Sequence, residues 1–221
     1  MPFRLRMILE PRIAAWLGVM SLLCVIVSTG ISIALSPWFS WTRNALSDLG
    51  VSEVAPVFNV GLIITGILLS IFATSLALVE HANRLGLLGA MGLAILGLST
   101  VGVGIFSEAF IVMHIFFALS CFFSLISSSI LLGVRFASEK ETRTLGALGL
   151  LAGMLGMIVW STIRFPGVAS KEALGGLPFI VWFIPLSLWL YRKGNLPSPK
   201  VTGSSRYDSG TSKSCVQPLE H

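Results

Sequence analysis

The chain has 221 residues, of which 54% are hydrophobic and only 11% are charged. A typical soluble domain is about 25% charged. The composition therefore excludes a disordered chain and an ordinary cytosolic enzyme, and it indicates an integral membrane protein. The net charge of +5 would suggest nucleic acid in a soluble protein. In a membrane protein the excess Lys and Arg is typical of segments that face the cytoplasm and anionic lipid, so we expect membrane lipids and no nucleic acid as partners.

Six continuous apolar segments are each long enough to cross a hydrocarbon core about 30 Å thick as a helix. Their apolar residues do not alternate with polar ones, which excludes a membrane barrel of strands. The sequence therefore predicts an all-α bundle of six transmembrane helices within residues 1–193. Residues 194–221 are rich in Ser, Pro, Gly and Lys; we expect a flexible cytoplasmic tail that ends in the remnant of a purification tag. The predicted spans are 13–35, 58–78, 85–106, 110–134, 145–163 and 174–191.

The distribution of positive charge predicts the orientation of the bundle. Twelve of the fifteen Lys and Arg residues lie in the termini and in the loops on their side, whereas Arg43, Arg164 and Lys171 lie on the other side. Because loops rich in Lys and Arg stay in the cytoplasm, we expect a multi-pass protein of the cell membrane with both termini cytoplasmic.

The fifth segment carries glycines at helical spacing. Gly149 and Gly153 form the small-xxx-small pattern that lets helix backbones approach closely. This pattern predicts tight helix packing, and the Gly149/Gly153 face is also a candidate surface for a homo-oligomer.

The polar residues on the side away from the termini are the candidate site. Asn44, Ser47 and Asp48 lie at positions i, i+3 and i+4 in the loop after the first segment, where they could share one helix face or simply cap a turn. Asn59, at the start of the second segment, could bind a ligand or form a hydrogen bond between helices.

Two further candidates lie where the third and fourth segments join. Glu108 opens the fourth segment, where the helix dipole favours a carboxylate. His114 lies inside that apolar segment, which marks it as a candidate functional residue, although a hydrogen bond to a neighbouring helix would also account for it. Arg164 could pair with a carboxylate or reach lipid phosphate.

Together these residues predict a polar pocket that suits a zwitterionic or anionic head group. Its candidate ligand-binding residues are Asn44, Ser47, Asp48, Asn59, Glu108, His114 and Arg164. One His and two carboxylates form a poor zinc set, and the three cysteines show no zinc-binding spacing. We therefore expect no metal and no cofactor.

Three motifs carry a resemblance to a family: 44–50 (NALSDLG), 58–62 (FNVGL) and 102–108 (GVGIFSE) followed by His114. In this order and spacing the chain resembles an uncharacterised group of archaeal and bacterial six-helix membrane proteins, known as domain of unknown function 998. The resemblance covers roughly residues 10–193. The group commonly has Pro where this chain has Ser107.

Residues 47–50 (SDLG), followed by Phe58 and Gly61, are more remotely similar to the eukaryotic membrane superfamily of autophagy modulators and GPI-anchor lipid remodelling factors. That similarity implies lipid handling on the non-cytoplasmic side. Seven-helix membrane hydrolases that hold zinc with a Ser, an Asp and three His offer a second comparison. This chain supplies Ser47 and Asp48 but only His114 on that side, which argues against that activity.

Three functions are compatible with the sequence. The first is a non-enzymatic protein that binds a lipid or amphiphile in the pocket. The second is a membrane enzyme acting on a lipid or isoprenoid, with His114 or Glu108 as general base and Asp48 orienting His114; it requires a His114–carboxylate contact. The third is a small-solute or proton-coupled transporter, which would need polar residues across the membrane midplane.

Overall fold

The computed structural model describes residues 7–161 and 167–194. Six helices make up most of this part of the chain, and each is long and apolar enough to cross a membrane. They are α1 (Pro11–Ala34), α2 (Ala55–Val79), α3 (Arg84–Ile105), α4 (Ile111–Ala137), α5 (Arg143–Ser161) and α6 (Val168–Lys193). No strand occurs within the described ranges. The predicted all-α membrane bundle is thus confirmed.

The observed helix bounds lie within a few residues of the predicted spans, except at the start of the last helix. α6 begins at Val168, six residues before the predicted start at 174. Its first turn is held by the loop between α1 and α2: the Ala169 N–H donates to the Asn44 carbonyl (2.9 Å) and the Ser170 hydroxyl donates to the Trp41 carbonyl (2.9 Å). These bonds support a polar first turn that hydropathy alone would assign to a loop. The end of the fifth predicted span and the predicted tail from residue 195 lie outside the described residues.

The helices form a ring in chain order. Each helix packs against the next, and α1 packs against α6 to close the bundle. Gly194, after α6, lies against Pro11 and Arg12 at the start of α1. We call this the terminal end of the bundle. The opposite end, which we call the loop end, carries the connection between α1 and α2 and the turn between α3 and α4.

The two ends differ in their interiors. The half toward the terminal end holds a large apolar core in which Phe72, Phe136, Trp182 and Phe183 are fully buried. The indole N–H of Trp182 donates to the Leu145 carbonyl (3.2 Å), so this side chain links α6 to α5. A smaller apolar cluster of Leu49, Phe58 and Leu62 lies under the loop end. The polar candidates lie next to this smaller cluster.

Helices α4 and α5 touch backbone to backbone near the terminal end. A Cβ atom at Gly133 would lie 2.7 Å from the Leu150 nitrogen and 3.1 Å from the Gly146 carbonyl oxygen. Gly149 and Gly153 are buried too, and they pack against Trp182 and Ile130 of the same chain. The predicted tight glycine packing is therefore found within the chain; self-association through the Gly149/Gly153 face stays a prediction.

A buried ion pair at the terminal end links α4 to the short loop between α2 and α3. The Arg135 Nε lies 2.6 Å from an oxygen of Glu80, whose side chain is 4% exposed. Arg135 also binds Glu139 one turn further along the chain (2.6 Å). Because both contacts involve residues near the ends of their helices, they tie the helix ends together without placing a lone charge in the apolar core.

Candidate functional site

The loop between α1 and α2 is shaped by its own polar side chains. One carboxylate oxygen of Asp48 accepts the Asn44 side-chain amide (2.8 Å) and the Ala45 backbone N–H (3.1 Å). The amide oxygen of Asn44 in turn accepts the Ser40 N–H (2.9 Å). These bonds support a short 3-10 helix, Leu46–Val51. Asn44 and Asp48 thus make the turn-capping contacts that the sequence allowed.

Asn59 fastens this loop to α2. Its side-chain amide donates to the Gly50 carbonyl (2.9 Å). A Cβ atom at Gly50 would lie 2.7 Å from the Asn59 amide oxygen, so a side chain there would displace the Asn59 amide. Asn59 therefore links α2 to the loop. The sequence suggested a hydrogen bond between helices as one alternative, and the observed bond joins a helix to a loop instead.

Ser47 and Glu108 come from different parts of the chain and meet at the loop end. The Ser47 hydroxyl donates to a Glu108 carboxylate oxygen at 2.5 Å. Glu108 starts a single 3-10 turn, Glu108–Phe110, that leads into α4. This bond joins the first loop to the α3–α4 turn and brings together two of the residues that the sequence predicted for one pocket.

His114 is the fourth residue of α4 and is 7% exposed. Its Nδ1 lies 3.0 Å from the Phe106 carbonyl oxygen at the end of α3. A carbonyl can only accept, so Nδ1 carries a hydrogen, and in the neutral form of the ring Nε2 then keeps a lone pair. Within the described ranges, Nε2 has no hydrogen-bond partner and no carboxylate contacts the ring. The His114–carboxylate contact that an enzyme would require is therefore not found there.

Glu172 is a site residue that the sequence analysis missed. It lies in the second turn of α6, and its Oε2 accepts the Leu46 N–H at 2.8 Å. Glu172 is largely buried, and the carboxylates of Glu108 and Asp48 lie near enough to act on it, so three carboxylates gather at the loop end. A signal for Glu172 did exist in the sequence: it lies three residues after Ala169 and seven before Phe179, on the stripe that faces the bundle.

Ser47, His114 and Glu172 border a cavity of about 250 Å³ in the loop-end half of the bundle. The other described residues that the sequence predicted for the pocket do not line it: Asn44, Asp48, Asn59 and Glu108. Its lining comes from the first loop and from every helix except α5. The polar members near the loop end are Ser47, His114 and Glu172. Thr29, Thr100 and Cys121 lie on the walls, and the apolar walls are Val25, Leu46, Phe58, Leu62, Val103, Ala118 and Phe122. The cavity thus has a hydrogen-bonding end and mostly apolar sides.

A second hollow lies between α4 and α5, with a volume of about 310 Å³. Phe122 lines both this groove and the central cavity. The Phe122 and Trp160 rings are in contact, with centroids 3.7 Å apart. The indole N–H of Trp160 is buried without a hydrogen-bond partner in the described part of the chain. Phe122 therefore lies between the cavity and a groove on the outside of the bundle.

The described lining of the cavity contains no Lys or Arg. Arg164, one of the predicted pocket residues, lies outside the described residues. Lys171 places its ammonium over the Trp160 ring, 5.1 Å from the centroid, and Arg43 is exposed. The described residues hold no group of three His, Cys, Asp or Glu that could bind a metal ion.

Comparison with known proteins assigns the chain to a family. The model of the family described as "Protein of unknown function (DUF998)" matches residues 19–191, from the first turns of α1 almost to the end of α6. Comparison with curated proteins and with solved structures gives no match. Because the family model covers well over half of the chain, including part of every helix and every described residue of the cavity, the chain belongs to the DUF998 family.

Proposed function

We propose that this protein binds a lipid or other amphiphile in the central cavity, with the head group at the loop end. The observation that carries the proposal is the make-up of the cavity. Ser47, His114 and Glu172 gather at one end of an otherwise mainly apolar hollow. Ligand sites for small molecules share this composition: apolar walls and a few placed polar groups that orient the ligand.

The position of Phe122 supports an amphiphile rather than a small polar solute. About 250 Å³ is too small for a whole long-chain lipid, since drug-sized ligands occupy roughly 300–1,000 Å³. Rotation of Phe122 away from Trp160 would connect the cavity to the groove between α4 and α5. The head group then occupies the cavity while the chain passes Phe122 into the groove and the surrounding lipid.

The proposal includes an orientation in the cell membrane. Both chain termini lie in the cytoplasm because their end of the bundle carries most of the Lys and Arg. The cavity then opens toward the extracytoplasmic leaflet. This placement agrees with the lipid handling on the non-cytoplasmic side that the remote resemblance of residues 47–61 implies.

A cavity-filling pair of variants tests the binding. Leu62 lines the cavity, whereas Leu98 on α3 is 63% exposed on the outside of the bundle. We expect Leu62→Trp to lose the lipid that co-purifies with the wild type, and Leu98→Trp to retain it. The measurement is mass spectrometry of lipids extracted from the purified full-length protein, normalised to protein. Unchanged lipid in Leu62→Trp would contradict the proposal. Ala118→Leu fills the same cavity from α4 if Leu62→Trp does not fold.

One observation favours the enzyme as a second candidate. The hydrogen bond from Nδ1 of His114 to Phe106 leaves Nε2 with a lone pair, as a general base requires, and both His114 and Ser47 line the cavity. Asp48 is engaged by Asn44 and Ala45, so it does not orient His114 in this arrangement. Turnover of a lipid or isoprenoid ester that His114→Gln abolishes, with lipid binding retained, would favour the enzyme.

A further inference from the structure

We propose that the ligand's head group is a cationic amine, bound by Glu172 and His114. This inference rests on the proposed function and names its ligand class. It follows from the hydrogen-bonding capacity and the charge that the described residues present at the loop end of the cavity.

The polar end of the cavity offers acceptors. Glu172 uses Oε2 for the Leu46 N–H, and its Oε1 has no hydrogen-bond partner among the described residues. His114, which is 93% buried, gives its one hydrogen to Phe106 and keeps the Nε2 lone pair. A ligand that satisfies an ionised Glu172 and a neutral His114 must supply hydrogen-bond donors, and an ammonium group supplies three with no acceptor.

Ser47 fits the same pattern. Its hydroxyl hydrogen is directed to Glu108, so toward the cavity it can only accept. Thr100 likewise donates to the Leu96 carbonyl. Among the polar residues of the described lining, Thr29 has the hydroxyl group whose hydrogen is not donated to another described residue. An anionic head group would therefore find few donors and several lone pairs.

The charges at this end point in the same direction. Glu172 is largely withdrawn from water and also lies near the carboxylates of Glu108 and Asp48, and no Lys or Arg lines the described cavity to compensate a charge on it. Carboxylates withdrawn from water are stable only when an opposite charge or strong hydrogen bonds accompany them. A bound ammonium group would provide both, whereas a phosphate would add repulsion.

The test compares three probes with the same chain length. Dodecylammonium, dodecanol and dodecyl phosphate are titrated into the full-length protein in nonionic detergent, and the bound fraction is measured by native mass spectrometry. We expect dodecylammonium to bind the wild type about tenfold more tightly than it binds Glu172→Gln, because a hydrogen bond to a charged partner is lost. The matched control, Glu53→Gln, changes an exposed carboxylate of the loop between α1 and α2 and should bind like the wild type.

Dodecanol shows whether Glu172→Gln still folds around the cavity, and we expect it to bind both proteins alike. Equal dodecylammonium affinity in the wild type and Glu172→Gln, or a preference for dodecyl phosphate, would overturn the amine assignment. If the amine assignment fails but Leu62→Trp loses dodecanol binding, the proposed function still stands. If no probe distinguishes Leu62→Trp from the wild type, the proposed function itself fails, and the amine assignment fails with it.

Discussion

Two carboxylates at the loop end have different roles because their hydrogen-bond partners differ. One carboxylate oxygen of Asp48 accepts hydrogen bonds from two donors of its own loop, Asn44 and Ala45. Glu172 reaches a loop residue distant in sequence, Leu46, and keeps its second oxygen beside the cavity. Asp48 therefore stabilises the loop, whereas Glu172 both anchors the loop to α6 and remains available to a ligand.

Removing the Asp48 carboxylate should lower stability rather than ligand selectivity. Asp48→Ala leaves the Ala45 N–H and the Asn44 amide without their acceptor. Loss of a side chain that caps backbone donors costs about 0.5–2 kcal/mol. In a domain of this size each kcal/mol lowers the melting temperature by about 2–4 °C. Thermal unfolding in detergent measures the change.

Glu53→Ala is the matched control for Asp48→Ala, because Glu53 is an exposed acidic residue of the same loop. Its melting temperature should stay at the wild-type value. If the two variants unfold at the same temperature, the hydrogen bonds of Asp48 do not stabilise the loop as described.

At the scale of helices, the shape of the α4–α5 pair produces the lateral groove. The two backbones touch at Gly133 and Gly146 near the terminal end. Toward the loop end the large side chains of Phe122, Met157 and Trp160 lie between them. The space between the two helices is wider at Gly156 of α5, where a Cβ atom would lie 3.4 Å from its nearest neighbour, Ile126. Small residues at one end and aromatic ones at the other therefore open a space beside the cavity.

The contact at Gly133 predicts a sharp difference between two Gly→Ala variants. Gly133→Ala places a methyl group against the α5 backbone, and forcing extra volume into a packed interior costs about 1–3 kcal/mol. Gly30→Ala, in α1, adds a methyl group with nothing within 4 Å, so helix propensity leaves it as stable as the wild type or slightly more stable. Thermal unfolding of both variants side by side tests this, and equal melting temperatures would show that α4 and α5 do not make the close contact.

The sequence predicts the helices far better than the cavity, and the reason is physical. Membrane spans need about 20 apolar residues, a local property that hydropathy reads directly. The meeting of Ser47 with Glu108, or of Leu46 with Glu172, joins residues 61 and 126 positions apart. Such contacts depend on how helices pack, which no local pattern specifies. The role of Glu172 is not predicted from the sequence, because its two polar neighbours in the first turn of α6 are typical of a loop.

At the scale of the whole molecule, the bundle is asymmetric from one end to the other. The half toward the terminal end is filled by aromatic and aliphatic side chains, among them Phe72, Phe136 and Trp182. The loop-end half contains the cavity and the carboxylates. Between the two ends, the buried polar residues of the described structure are serines and threonines such as Ser21, Thr65 and Ser128, and none of them is charged. This suits a site at one end of the bundle better than a path for protons or ions through it.

The orientation of this asymmetric bundle can be measured with single cysteines. Glu53 is exposed in the first loop at the loop end, and Glu141 is exposed between α4 and α5 at the terminal end. In a background without Cys24, Cys121 and Cys215, we expect a membrane-impermeant maleimide to label Glu53→Cys in intact cells. Glu141→Cys should react only after the membrane is permeabilised, because we expect the end richer in Lys and Arg to face the cytoplasm. The reverse pattern would place the cavity at the cytoplasmic leaflet, so a ligand would have to reach it from inside the cell.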